Sequence, residues 1–451
     1  MRRIKITLTV ICLTVLALTA SAKTPKYVFY FIGDGMGINQ AAATEMYMHS
    51  AGLGDLNFRH FPVTGFVTTT PANSRVTDSA AGGTALATGF KTYNGAIGLS
   101  ADSTVVEDLT EKAIRAGYAA GVVSSDAVDL ATPAAFYAHA KKRGDYEDIA
   151  SCLVNSKLSF AAGASIWSKE KGNDYWVEQA RQKGFRVISG GEQYTYGKEP
   201  VIYLSNDVSR NDLNYAIDHM EGQTCLAEFT AAAIEHLYKN SRKGFFLMVE
   251  GALIDHACHS RDAGSMVAEV MDLAKSVDLA LAFYAQHPDE TLIVVTADHE
   301  TGETMITYGQ TELVGCQKCS INKLTAILTS MGEDGKTPGW PEVKDVLREN
   351  LGLWDSVPVT KNQEAVFTQL YKESFLDRSS ELVNDLYNSN QKLAAEAVRY
   401  LGSKAGLNLH SSGHSGSPVG LYVKGAGSDC FVGCKDNTDV PKAIAKAARY
   451  K

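Results

Sequence analysis

The sequence predicts an α/β fold in which a central, mainly parallel sheet is sandwiched between helices. Unbroken apolar runs at residues 27–32, 118–123, 245–249 and 292–296 are typical of strands that are covered on both faces. Helical patterns separate them, at residues 104–116, 223–238 and 264–286. Because strands alternate with helices, the sheet should be mainly parallel. A further strand is predicted at 419–423 and a terminal helix at 440–448.

The first 22 residues have the features of a secretory signal peptide. Basic residues stand at positions 2, 3 and 5, residues 6–18 are mostly apolar, and the sequence ASA at 20–22 is an A-x-A cleavage site. The alternative is an uncleaved membrane anchor, but the apolar run is short for a span. We therefore expect a periplasmic or secreted protein without stable membrane insertion.

Charge and cysteine content restrict the partners and the cross-links. Residues 1–22 hold three positive charges and no acids, so their removal would lower the formal net charge from −8 to −11. Such an acidic chain argues against binding to nucleic acid or to anionic membranes. Seven cysteines would remain, and an odd number leaves at least one free thiol or an intermolecular bond. Cys316 and Cys319 are spaced for a local disulfide or two free thiols, since no second half of a zinc site follows.

The pattern changes after residue 304. Residues 305–408 lack a clear buried strand, and helical patterns cover 322–331, 341–350, 362–373 and 380–401. We predict that residues 23–304 and 409–451 form the α/β catalytic domain and that 305–408 form a helical insertion. We expect this insertion to cover the main sheet without a catalytic part.

Acidic side chains follow three of the predicted strands. Asp34 comes after the first strand, Glu250 after the third and Asp298 after the fourth. The carboxyl ends of parallel strands face one crevice, where ligands bind. For Asp34, within the sequence GDGMG, the alternative is a plain strand-to-helix turn. Three acids in equivalent positions nevertheless predict a common site.

Histidines near these acids complete two candidate metal sites. Asp255 and His259 stand at i and i+4, so they share a face if the segment is helical. The two sets of three ligands are Asp255, His259 and His414, and Asp34, Asp298 and His299. Three protein ligands leave an open position on each ion, which is the catalytic zinc arrangement, and Glu250 could reach a neighbouring ion. The alternatives are a capped helix with a surface histidine and, for His414, an exposed loop histidine.

A candidate nucleophile and a candidate anion clamp lie elsewhere in the chain. Ser79 follows an acid in the run VTDSAAGGT at 76–84, and a helix that starts there would direct backbone N–H groups at an anion. The alternative is an ordinary helix N-cap. The guanidinium of Arg143 suits the oxygens of phosphate or sulfate, although a cation near a helix C-terminus is the other interpretation.

Together, these residues resemble the alkaline phosphatase family from Asp34 to the C-terminal helix. The run at 76–84 matches the nucleophile signature of that family. The ordered set that also matches is Asp34, Ser79, Thr132, Arg143, Glu250, Asp255, His259, Asp298, His299 and His414. The resemblance implies that Ser79 forms a phosphoseryl intermediate, that Arg143 grips two phosphate oxygens, and that His256 contacts phosphate through water.

The resemblance also implies the cofactors and the substrate. The two ligand sets would each hold a zinc ion, and Asp34, Thr132 and Glu250 would bind a magnesium ion. The protein would be an exported alkaline phosphatase that acts on small phosphate monoesters, and the resemblance allows a homodimer. Residues 305–408 fit the crown-like insertion that part of the family carries.

Three positions depart from the family pattern. Leu130 stands two residues before Thr132, where the family often has aspartate or histidine, and Asp129 lies beside it. Thr301 stands where many members carry a histidine that supports a zinc-ligating aspartate. His256 stands where some members have lysine. Leu130 affects the expected binding of the magnesium ion, and His256 affects the expected contact with phosphate.

The alternatives to a phosphomonoesterase are another hydrolase of the same superfamily and a non-catalytic binding protein. A phosphodiesterase of the same superfamily often uses threonine as its nucleophile, and a sulfatase uses a modified cysteine or serine. Ser79, together with Arg143 and the third-ion residues, favours the monoesterase. A non-catalytic metal-binding or phosphate-binding protein is disfavoured by the intact nucleophile and the complete ligand sets.

Overall fold

The computed structural model describes residues 23–207, 212–333 and 336–450. The predicted signal peptide at residues 1–22 lies outside these ranges. The strands of the described residues are β1 (Tyr27–Gly33), β2 (Val63–Val67), β3 (Ala119–Ser124), β4 (Phe160–Gly163), β5 (Arg186–Ile188), β6 (Val201–Leu204), β7 (Phe245–Gly251), β8 (Thr291–Thr296), β9 (Glu300–Thr301), β10 (Thr304–Ile306), β11 (Leu382–Asn384), β12 (Ser389–Gln391), β13 (Leu407–Leu409), β14 (His414–Ser415) and β15 (Val419–Gly425).

Helices connect most of these strands. They are α1 (Ile38–Ser50), α2 (Ser79–Thr88), α3 (Leu109–Arg115), α4 (Ala131–Ala134), α5 (Tyr146–Asn155), α6 (Gly172–Gln182), α7 (Leu226–Asn240), α8 (Leu253–His259), α9 (Ala263–Gln286), α10 (Ile321–Met331), α11 (Trp340–Leu351), α12 (Lys361–Tyr371), α13 (Lys392–Ala405) and α14 (Asp439–Ala448).

Nine strands form one sheet in the order β2-β15-β8-β1-β7-β3-β4-β6-β5. The strands from β8 to β5 are parallel, whereas β15 runs antiparallel to both β8 and β2. Successive residues of a strand point to opposite faces. On β1, Phe29 packs against Phe283 of α9, and Tyr30 packs against Phe136 after α4. Both faces of the sheet are therefore covered, and the predicted α/β sandwich is confirmed.

The register of the central strands brings their carboxyl ends to one level. Ile32 of β1 lies opposite both Glu250 of β7 and Thr296 of β8, and Ser124 of β3 also lies opposite Glu250. The predicted strands β1, β3, β7, β8 and β15 are present, and β7 extends two residues further than predicted, so that Glu250 lies within it. The crevice expected beyond these ends is where the candidate residues meet.

Several short elements differ from the prediction. Strands β4, β5 and β6 have only three or four residues each, too few for a distinct apolar run. The helix predicted at 104–116 is restricted to α3, because Asp108 caps it through a capping box with Glu111.

The helix predicted at 380–401 is wrong for its first half, which forms the hairpin β11–β12 before α13. Its turn is stabilised by Asp385, whose Oδ1 accepts hydrogen bonds from the backbone N–H groups of Tyr387 and Asn388 at 2.8 and 2.7 Å. Such side-chain bonds to the local backbone compete with helix formation.

Two short strands stand close to the predicted ends of the insertion. β10 and β13 pair antiparallel, with Thr304 opposite Leu409 and Ile306 opposite Leu407. Helices α10 to α13 and the hairpin β11–β12 lie between them in the chain. The pairing brings the two ends of this segment side by side at the main body of the protein.

Two further features concern all the residues that the structure describes. All seven cysteines of the described residues are free thiols, including Cys316 and Cys319. In the same part of the chain, no helix combines the length and the apolar character that crossing a membrane requires.

Candidate active site

Ser79 is the first residue of α2, and its side chain is not the cap of that helix. The preceding Asp78 is the N-cap, and its Oδ1 accepts a hydrogen bond from the N–H of Ala81 at 2.9 Å. The Ser79 hydroxyl instead lies 3.2 Å from Nε2 of His299. The N-cap interpretation therefore applies to Asp78, and Ser79 is left free for chemistry at a helix N-terminus.

The small residues that follow Ser79 have a packing role. All ten residues of α2 are buried. A Cβ atom on Gly82 would lie 3.0 Å from the carbonyl oxygen of Asp298, and one on Gly83 would lie 3.2 Å from Cα of Thr132. The two glycines thus allow α2 to pack directly on segments that carry candidate metal ligands.

The first candidate ligand set converges as predicted. Asp255 and His259 share a face of α8, with His259 Nε2 at 3.1 Å from Asp255 Oδ2. His414, on β14, places its Nε2 at 3.2 Å from His259 Nε2 and 3.8 Å from Asp255 Oδ1. His414 is thus part of this group and is not an isolated loop histidine.

The hydrogen bonds of these two histidines are compatible with a cation between them. The Nδ1 atoms of His259 and His414 lie 2.6 and 2.9 Å from the backbone carbonyl oxygens of Ser412 and Thr77, so each Nδ1 must carry the proton. In the neutral rings both Nε2 atoms then present lone pairs to each other. A shared positive charge between them resolves this contact, and a zinc ion fits that donor set.

The second ligand set also converges. Nε2 of His299 lies 3.3 Å from Asp34 Oδ1 and 3.3 Å from Asp298 Oδ2. Among the described residues, these two carboxylate oxygens are buried and have no hydrogen-bond donor. Burial and the neighbouring carboxylates raise the pKa values of Asp34 and Asp298 well above their usual range. Orphaned oxygens in a buried acidic cluster are what a bound cation would satisfy.

Thr301 connects the two sets. Its hydroxyl donates to Oδ1 of Asp255 and lies 3.2 Å from Nδ1 of His299. Because its single proton goes to Asp255, it accepts from the Nδ1–H of His299. This fixes the tautomer in which His299 Nε2 faces Ser79. Thr301 therefore supports the candidate ligand Asp255 at the position where many family members carry histidine.

Gly35 makes the approach of these segments possible. Its φ is +70°, a conformation that favours glycine, and a Cβ there would lie 2.8 Å from Oδ1 of Asp255 and 2.9 Å from Oγ1 of Thr301. The GDGMG sequence is therefore more than a plain turn, since its glycine backbone lies against the first ligand set while Asp34 belongs to the second.

The residues of the third candidate site lie beside the second set. Thr132, in the short helix α4, donates to Oδ2 of Asp34 at 3.3 Å, and Ser124 donates to Oε2 of Glu250. Burial raises the pKa of Glu250 to about 7. Asp129 does not supply the carboxylate that Leu130 lacks, because its Oδ1 accepts from the backbone N–H of Trp167 at 2.6 Å. Oxygen donors alone suit magnesium.

Arg143 lies at the open side of the site. Its Nη1 is 3.6 Å from Oδ2 of Asp78, and its side chain is 30% exposed, whereas Ser79 is buried. Burial alone would lower the pKa of Arg143, but the neighbouring Tyr387 and Asp78 raise it. Asp78 thus links the guanidinium to α2, and the cation does not lie at a helix C-terminus.

His256 is held by two acids that the sequence did not single out. Its Nε2 lies 3.1 Å from Asp126 Oδ2, and its Nδ1 lies 3.8 Å from Asp212 Oδ2. Burial would lower the pKa of His256, but these carboxylates raise it to about 10. The two carboxylates therefore favour the protonated form of His256. Asp126 follows the end of β3 by two residues, so the rule that located Asp34, Glu250 and Asp298 could have found it.

Tyr387 also reaches the site, from the turn between β11 and β12. Its ring stacks on His256 with 3.6 Å between centroids, and its hydroxyl donates to Oδ2 of Asp255 at 3.3 Å. Burial raises the pKa of this phenol well above its usual range, so the hydroxyl remains a donor. No local sequence signal pointed to this residue, because it lies in the segment predicted to be helical.

Comparisons with known proteins agree with this geometry. The family model described as Alkaline phosphatase matches residues 25–201 and 169–450. Alkaline phosphatase 4 of Bacillus subtilis is 30% identical over 440 residues, which cover 93% of this chain and 88% of the relative. Alkaline phosphatase of Escherichia coli is 31% identical over 335 residues, covering 62% and 71% of the two chains.

A solved structure matches the whole fold. The cold-active alkaline phosphatase from the psychrophile Shewanella sp. superposes with a TM-score of 0.77 at 27% identity, and the match covers 94% of this chain and 99% of that chain. Because the family model spans most of the chain and Alkaline phosphatase 4 of Bacillus subtilis is 30% identical over 93% of it, this chain belongs to the alkaline phosphatase family of phosphomonoester hydrolases.

Proposed function

We propose that this phosphatase is exported and cleaves phosphate monoesters through a phosphoseryl intermediate on Ser79. The observation that carries the proposal is the position of the Ser79 hydroxyl, 3.2 Å from Nε2 of His299. That nitrogen carries a lone pair, because the hydroxyl of Thr301 accepts from Nδ1–H of His299 and so keeps the ring proton on Nδ1. A nucleophile beside an unprotonated ligand nitrogen is suited to activation by a shared cation.

The chain offers donors for three ions. Zinc ions would be held by Asp255, His259 and His414 and by Asp34, Asp298 and His299, and a magnesium ion by Asp34, Thr132 and Glu250. When bound, these ions supply Lewis-acid stabilisation of developing negative charge and lower the pKa of the Ser79 hydroxyl.

The protein side chains then account for the bonds that change. The Ser79 oxygen attacks phosphorus, the ester P–O bond breaks, and the alcohol leaves with a proton. Water attacks the phosphoseryl group in the second step, which restores the serine hydroxyl and releases inorganic phosphate. Arg143 would hold two non-bridging oxygens in its planar fork, and the first turn of α2 would direct N–H groups at the same anion.

The test compares three substrates and two variants. Wild type, Ser79→Ala and Ser165→Ala are assayed with an aryl phosphate, its diester and its sulfate, with zinc and magnesium or with a chelator. Ser165 is a matched control, because it is buried and its hydroxyl has no partner among the described residues. We expect activity mainly on the monoester, lost in Ser79→Ala and with chelator, and retained in Ser165→Ala.

The intermediate can be detected directly. Mass spectrometry after an acid quench should find one phosphoryl group on the peptide that contains Ser79 in wild type, and none in Ser79→Ala. Full activity in Ser79→Ala would refute the nucleophile, activity on the diester alone would refute the monoesterase, and indifference to chelator would refute the metals.

Export rests on the sequence of residues 1–22 and has its own test. A basic start, an apolar run and the ASA sequence are the parts of a cleavable signal. N-terminal sequencing of the protein from its native host should begin at Lys23, in the periplasm or medium. An intact N-terminus in the cytoplasmic fraction would contradict export.

A further inference from the structure

We propose that Tyr387, presented by the β11–β12 hairpin, walls the phosphate cavity and restricts it to esters that carry a single organic substituent. The inference rests on the proposed function, because it concerns the substrate range of the same site. It assigns a specificity role to a residue from the segment that we predicted to carry no catalytic part.

The contacts of Tyr387 place it against the reacting centre. Its ring lies on His256, with 22° between the ring planes, and meets His259 edge-on at 5.3 Å between centroids. Its hydroxyl contacts Asp255. Arg143, which would bind phosphate, is among the charged neighbours of the phenol. The side chain therefore occupies space beside the phosphate position, where the second substituent of a diester would need room.

The hairpin is attached to the helix that carries the ligands. Ser260, the residue that follows α8, donates to Oδ2 of Asp385 at 2.7 Å and accepts from Nδ2 of Asn388 at 3.3 Å. Asn388 also accepts from Nδ2 of Asn322 on α10 at 2.8 Å. Bonds on both sides of Tyr387 hold it in place, so the ring acts as a fixed wall and not as a freely moving side chain.

The neighbouring residue is exposed and provides a control. Leu386 stands on the same turn but is 61% exposed. Replacing it changes the apolar surface of the hairpin without changing the contacts of Tyr387 or the bonds to Ser260. Tyr387→Phe is a second control, since it retains the ring and removes only the hydroxyl.

The experiment measures kcat/KM for an aryl phosphate and for the corresponding diaryl phosphate in metal-loaded protein. For Tyr387→Ala and Tyr387→Val we expect the diester-to-monoester ratio to rise at least about tenfold. For Tyr387→Phe and Leu386→Ala we expect a ratio within about threefold of wild type. An unchanged ratio in both truncated variants, with the two activities reduced together, would overturn the proposal.

A binding measurement separates this proposal from the catalytic one. Calorimetric titration of the diester into Ser79→Ala, with and without Tyr387→Ala, reports on the wall without requiring turnover. We expect the double variant to bind the diester at least about tenfold more tightly. Equal binding would refute the wall even if Ser79 is the nucleophile. Tighter binding together with activity in Ser79→Ala would refute the nucleophile and leave the wall standing.

Discussion

Thr301→Val should impair both ligand sets at once. The hydroxyl donates to Asp255 in one set and accepts from Nδ1 of His299 in the other, and Thr301 is fully buried. Valine has nearly the same shape but neither donates nor accepts. The substitution would therefore leave a carboxylate oxygen and an imidazole N–H without their partner, and the tautomer of His299 would no longer be fixed.

The expected size of the effect follows from these two contacts. A buried polar group that loses its partner costs about 1–3 kcal/mol. A net loss of about 2 kcal/mol corresponds to a factor of about 30 in an equilibrium or rate constant. Mutation of residues that orient metal ligands typically lowers metal affinity or activity by about 10–100-fold, a range that includes this factor of about 30. We expect zinc affinity and kcat/KM to fall together within this range.

The assay combines zinc competition against a chromogenic chelator with steady-state hydrolysis of an aryl phosphate. Thr301→Ser is the matched control, because it restores the hydroxyl with one methyl group fewer, and it should stay within about threefold of wild type. The reasoning would be refuted if folded Thr301→Val bound zinc and turned over substrate like wild type. A loss of equal size in Thr301→Ser would assign the effect to packing and contradict it as well.

Three further predictions follow from other contacts. Gly35→Ala should lower the free energy of unfolding by about 1–2 kcal/mol because of its positive φ, and the added Cβ would overlap the first ligand set and lower the zinc content. Gly54→Ala, at φ +84° in open space, should show only the backbone cost when unfolding by denaturant is measured. Arg143→Lys should raise KM at least about tenfold because a point charge replaces a bidentate fork, and an unchanged KM would contradict the assignment. Asp129→Asn should stabilise the protein more at about pH 9 than at about pH 5, because burial raises the Asp129 pKa to about 7. A carboxyl group with a raised pKa destabilises the fold fully above that pKa, and the destabilisation decreases as the pH falls through it. The free energy of unfolding gained by Asp129→Asn, measured by thermal unfolding, should therefore approach about 4 kcal/mol only on the alkaline side. A gain that grew toward acidic pH would contradict the sign.

Sequence patterns located the candidate ligands that directly follow a predicted strand or share a face of a predicted helix. Asp34 and Asp298 follow largely buried strands, whose apolar runs are visible in the sequence. Asp255 and His259 reveal their shared face through helical spacing alone. In each case a strand end or a helix period fixes the direction of the side chain. These four candidate ligands could therefore be located before any tertiary contact was known.

The parts that sequence patterns did not locate depend on distant segments. Asp212 lies far along the chain from His256, and Tyr387 lies further still, so no spacing rule joins them. Tyr387 was also concealed by an incorrect helix assignment, because Asp385 stabilises a turn where the apolar periodicity suggested a helix. For these residues the contact is created by packing of the hairpin on α8.

The departure at Leu130 can be understood through Asp126. Where the family often places an acid or histidine two residues before the threonine, this chain has a leucine, and Asp129 turns away to Trp167. A carboxylate nevertheless enters the site from the same loop, four residues earlier, and it binds His256 at 3.1 Å. Asp126 therefore places its carboxylate beside His256, while the position of Leu130 carries no acid. Asp34, Thr132 and Glu250 would then hold that ion with oxygen donors alone, while Asp126 favours the protonated form of the His256 ring that stacks on Tyr387.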